Sequence, residues 1–121
     1  MGEVSQIDVK LDRKAFNVVL GTFSFIRDNW GMPGIIDPAA IFISRHDAAE
    51  MVSKVEASDK GGGEVTISMN FDDWVVYGTL LSHASSNIPQ SDPDAFEVLE
   101  ALYHDVNDRD DAGEAPRGPL T

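Results

Sequence analysis

A chain of 121 residues, 42% of them hydrophobic, is long enough for one domain with a core and too short for two. The absence of cysteine excludes disulfides, thiolate zinc sites, iron–sulfur clusters and cysteine nucleophiles, and no apolar run approaches the ~20 residues of a membrane-spanning helix. The net charge of −12 repels nucleic-acid phosphates and anionic lipid, which leaves a basic protein as the electrostatically matched partner, or solubility alone as the purpose.

That charge is unevenly placed. Residues 1–57 hold eight Asp or Glu against six Lys or Arg, whereas residues 58–121 hold thirteen against three. The opening "MGEVSQ" lacks the apolar stretch of a secretory signal, and Gln6 stands where myristoylation needs Ser or Thr. A soluble cytoplasmic protein is expected.

The first element is a strand. Ile7, Val9 and Leu11 alternate with Asp8 and Lys10, the period-two pattern of a half-buried strand. Asp12 is placed to cap a helix over about residues 13–29, whose apolar stripe is Phe16, Val19, Leu20, Phe23 and Ile26. Gly21 weakens that helix. "NWGMPGII" then breaks it, yet it carries Trp30, Met32, Ile35 and Ile36, residues that either cover the core or line a binding loop.

"DPAAIFISRHDAAEMVSKVEAS" admits two readings. Asp37 and Pro38 are a helix start, which gives one helix from Pro38, the preferred reading. Alternatively Ile41–Ile43 is a short strand, and Ser44 with Asp47 forms a capping box. Both readings turn Ala48, Met51, Val52 and Val55 inward. "SDKGGGE" reads as a flexible turn into a second strand, "VTISM". Asn70 caps the next helix, Asp72 and Asp73 suit its positive first turn, and Trp74, Tyr77, Leu81 and Ala84 form its stripe. "SSNIPQSDP" breaks that helix. Asp92 and Pro93 open the last one, with Phe96, Leu99, Tyr103 and Val106 facing in.

Ile67–Asn87 lies without a gap on Val9–Asn29, pairing the strands, the caps Asp12 and Asn70, and the helix faces. The expected fold is therefore α/β of the α+β type: an internally duplicated strand–helix–helix, with a small antiparallel sheet covered by about four helices on one face. Residues 1–107 would form a single domain, with pseudo-repeats of about 4–57 and 64–107, and residues 108–121 an acidic disordered tail. Two strands alone leave open edges, which a second copy could cover as a homodimer.

Catalytic and metal-binding patterns are sought without success. His46, His83 and His104 are not at the i, i+4 spacing of a helical zinc pair. Calcium-loop registers started at Asp108 or Asp105 place Pro119 or Pro116 where a bidentate Glu is needed. "KGGGE" lacks the ending of a phosphate loop, and "GTFSF" is not a nucleophile elbow. No cofactor and no catalytic residue is assigned.

What remains is surface. Asp94, Glu97, Glu100, Asp105, Asp108, Asp110 and Asp111 read as one acidic strip for a basic protein partner. The expected function is that of a small binding module, such as an inhibitor, immunity or antitoxin-like protein occupying a basic site. One alternative is a homodimeric small-molecule binder or enzyme with a pocket near Trp30, Met32 and Trp74; another is a structural subunit of a larger assembly.

Overall fold

Strand β1 (Ile7–Asp12) passes directly into helix α1 (Arg13–Asp28), because one residue serves as the end of the first and the cap of the second. The Asp12 carboxylate accepts the Ala15 N–H at 2.7 Å. The computed structural model describes residues 6–31, 43–87 and 93–113. Its further elements are α2 (Arg45–Ala57), β2 (Glu64–Met69), α3 (Phe71–Asn87) and α4 (Pro93–Asp111). Asn70 repeats the junction between β2 and α3: its Oδ1 accepts the Asp73 N–H at 2.9 Å, and Asp73 accepts the Asn70 N–H at 3.2 Å.

The two strands pair antiparallel, with Ile7 opposite Met69, Val9 opposite Ile67 and Leu11 opposite Val65. These residues face the helices, whereas Asp8, Lys10, Thr66 and Ser68 are exposed on the other side. The fold is thus α+β, with a two-stranded sheet and four helices. Helices α1, α2, α3 and α4 form a closed ring in which each touches the next and α4 returns to α1; α1 and α3 meet the sheet. Val9 and Ile67, matched in the sequence repeat, are also partners in the ladder. The matched pairs Phe16 and Trp74, Val19 and Tyr77, and Phe23 and Leu81 are all buried.

Each sheet edge receives a cation from a helix. Lys54 on α2 donates to the Ser68 carbonyl at 3.0 Å and pairs with Asp73 at 2.9 Å. Arg109 on α4 donates to the Asp8 carbonyl at 3.2 Å and pairs with Asp105 at 3.1 Å. Strand carbonyls exposed at an edge invite pairing with another chain, and a charged side chain on them blocks it.

Three expectations change. A single helix from Pro38 is overturned: Ser44 has extended backbone (φ −93°, ψ 167°) and begins α2 through a reciprocal capping box with Asp47. That box satisfies two helix-end amides locally, and it outcompetes the Asp-Pro signal upstream. Residues Pro38 to Phe42, with their disputed strand, lie outside the described residues, as does Met32. Helix α3 ends at Asn87, within the expected break, whereas α4 runs to Asp111, through the first residues read as tail. Phe96, expected inward, is 36% exposed. Leu99 and Val106, seven residues apart, define the buried seam of α4, and Phe96 falls on its flank.

"SDKGGGE" is a clamped turn. The Arg13 guanidinium forms a bidentate pair with Asp59 at 3.0 and 2.9 Å and donates twice to the Gly62 carbonyl. Gly61 and Gly62 have φ of +79° and +104°, a left-handed region that glycine enters without penalty. Arg13 and the Gly61 N–H hold the Asp59 carboxyl down at about 2. This lies below the ordinary 3.8, so the pair's contribution to stability is in place above that pH and is lost as pH falls toward 2. In Arg13→Ala, an NMR titration is expected to find Asp59 moved up toward the ordinary carboxylate value.

Gly21 sits exposed within α1, and a Cβ built there meets nothing within 4 Å. Gly21→Ala is expected to stabilise the fold by about 1 kcal/mol, read from the midpoint of chemical denaturation.

Candidate functional site

Helix α4 buries Leu99 and Val106 against the ring, and at 3.6 residues per turn its opposite side carries Asp94, Glu97, Glu100, Asp108 and Asp111. All five are exposed. Asp94 lies 3.9 Å from Lys14 of α1, with both side chains largely in water, a pair of little energetic weight. Glu97, Glu100, Asp108 and Asp111 have no ion pair among the described residues.

The two other acidic residues of the expected strip do not join this face. Asp105 is half-buried and orients Arg109 onto strand β1. Asp110 points to α3, where its Oδ1 accepts the indole N–H of Trp74 at 2.9 Å. Trp74 is 4% exposed, so its N–H needs that partner. Both roles depend on how α4 packs, which spacing along one helix does not reveal.

Of the alternative pocket around Trp30, Met32 and Trp74, Met32 lies outside the described residues, and the two tryptophans are described singly. Trp30 packs partly buried against the core. Trp74 is closed in by Asp110 and stacks at a tilt beside Tyr77, 6.0 Å between ring centres. The Tyr77 hydroxyl is buried, and that burial pushes the phenol above its usual range.

A groove of about 320 Å³ opens elsewhere, between the first turns of α2 and α3. Its walls are apolar (Ile43, Met51, Phe71, Val75, Val76) and acidic (Asp47, Glu50, Asp72, Asp73). Phe71 and Val75 are 37% and 40% exposed. Sequence reasoning missed this surface; the one signal for it is that both residues stand off the Trp74–Tyr77–Leu81–Ala84 stripe. A shallower neighbouring groove holds His46, paired with Glu50 at 3.0 Å, and the Lys54–Asp73 pair. Among the described residues no group of three or more His, Asp or Glu is arranged to hold a metal ion, and no helix is long and apolar enough to cross a membrane.

The two classes of α4 carboxylate are separable by substitution. Asp110→Ala strands a buried indole N–H and is expected to destabilise the fold by about 1–3 kcal/mol. Glu97→Gln and Asp108→Asn are expected to stay within about 0.5 kcal/mol of the parent, as surface changes do. Denaturant midpoints, with Trp fluorescence as the probe, measure all three. Compared with known protein families, curated proteins and solved structures, the chain matches none of them.

Proposed function

We propose that the protein is a non-catalytic binding module that docks on a basic surface of another protein, in the manner of an inhibitor, immunity or antitoxin-like protein. The observation that carries this reading is the outer face of α4. Glu97, Glu100, Asp108 and Asp111 crowd one side of a helix with no cation of the described chain opposite them. Like charges so placed repel one another, and the helix would be more stable with mixed signs. A basic partner removes that repulsion and is steered to the face by the field of the whole acidic second half.

A homodimer built by continuing the sheet would have to displace Lys54 from Ser68 or Arg109 from Asp8. The reading therefore rests on the helical face and not on the strand edges.

The test is capture of partners from the host's own lysate across a salt series, followed by mass spectrometry. Raising salt from about 0.01 M to 1 M shortens the screening length from ~30 Å to ~3 Å, and specific partners are expected to be lost over that range. The variant Glu97→Lys/Glu100→Lys/Asp108→Lys/Asp111→Lys leaves Asp105 and Asp110 to their structural contacts. It is expected to lose the same partners at low salt. Partners that bind this variant as well as the parent would overturn the reading.

A further inference from the structure

We propose that the groove between α2 and α3 is the anchor point of the same interface, and that it takes an amphipathic, Lys- or Arg-bearing peptide segment of the partner. The proposal rests on the acidic-module reading and adds a place and a chemistry to it.

The geometry supplies three reasons. The first is charge complementarity: carboxylates stand on both walls, Glu50 from α2 and Asp72 from α3 among them, and no Lys or Arg lines the groove. Asp47 and Asp73 each use an oxygen for a helix cap, Asp73 also pairs with Lys54 and Glu50 with His46, whereas Asp72 has no hydrogen bond or ion pair among the described residues. The second is the apolar wall. Phe71 and Val75 are large hydrophobic residues left well exposed in a chain that buries its other α3 stripe completely. A purely electrostatic surface has no use for them, but an apolar anchor side chain does.

The third reason is continuity. The Trp74–Asp110 bond pins the last turn of α4 against the first turn of α3. The end of the acidic α4 face, with Asp108 and Asp111, is thereby brought to the end of α3 that carries Phe71 and Asp72. One partner segment can lay its cations along α4 and seat an apolar side chain beside Val75. The groove is partly open to solvent and not an enclosed cavity, which suits a peptide side chain better than a fully enclosed small molecule.

Three synthetic peptides of roughly 14 residues, about four helical turns, provide the probe. One has Leu and Lys at amphipathic spacing, one replaces every Leu by Ser, and one replaces every Lys by Glu. Binding to the full chain is followed by methyl NMR and by fluorescence anisotropy at low salt. The Leu/Lys peptide is expected to shift the methyl signals of Ile43, Met51, Val75 and Val76, and to bind at least tenfold more tightly than either control. Val75→Ser and Asp72→Lys, both surface changes checked for unchanged melting, are each expected to weaken it about tenfold. Shifts confined to α4, equal binding of the Ser-substituted peptide, or no binding of the Leu/Lys peptide would each overturn the groove.

The two readings fail differently. If Glu97→Lys/Glu100→Lys leaves Leu/Lys binding unchanged while the groove variants abolish it, the α4 face is the part that is wrong. If the groove variants are silent and the α4 variant is not, the groove falls and the acidic face stands.

Discussion

The junctions at Asp12 and Asn70 are the constraint on which the rest of the molecule depends. Each ends a strand and caps a helix with no intervening loop, so the direction of the helix is set by the strand before it. Because the strands run antiparallel, α1 and α3 leave from opposite ends of the ladder and cross the same face. That face is Val9, Leu11, Val65, Ile67 and Met69, and it is marginal by itself. Once α1 and α3 lie on it, α2 and α4 need only close the ring for every described apolar stripe to find a partner.

The acidity of the chain has two meanings at the level of single residues. Asp12, Asp47 and Asp73 satisfy helix-end amides, Asp59 holds Arg13, Asp105 aims Arg109, and Asp110 serves a buried indole. These carboxylates belong to the fold. Among the described residues, Glu97, Glu100, Asp108 and Asp111, together with Asp72, are not engaged in this way, and they lie on or next to the surfaces proposed for partner binding. A charge total says nothing about this division. Distances do.

What could be read from the amino acids alone follows the range of the interaction. Strands, caps and helix faces are local or periodic, so Ile7–Leu11, Asp12, Asn70 and the Trp74–Ala84 stripe were all legible. The start of α2 was legible as one of two options, and the choice turned on whether two reciprocal hydrogen bonds at Ser44 outweigh a single Asp-Pro signal. The Arg13 clamp on Asp59, the turn of Asp110 toward Trp74 and the groove between α2 and α3 each join residues far apart in the chain. No periodicity encodes them. Phe96 failed for a geometric reason, since a stripe drawn through four residues does not show which of them lies at its edge.

The pairing of β1 with β2 has a consequence for how the chain acquires its shape during synthesis. Asp8 meets Ser68 across the ladder, 60 residues later, and its carbonyl is taken by Arg109, 101 residues later. Among the described residues, a first half emerging from the ribosome therefore holds a strand with no strand partner and an unguarded edge. Such long-range closure slows folding relative to a purely helical bundle of the same size, and it makes the halves interdependent. The sheet of this chain is complete only when both of its strands have been made.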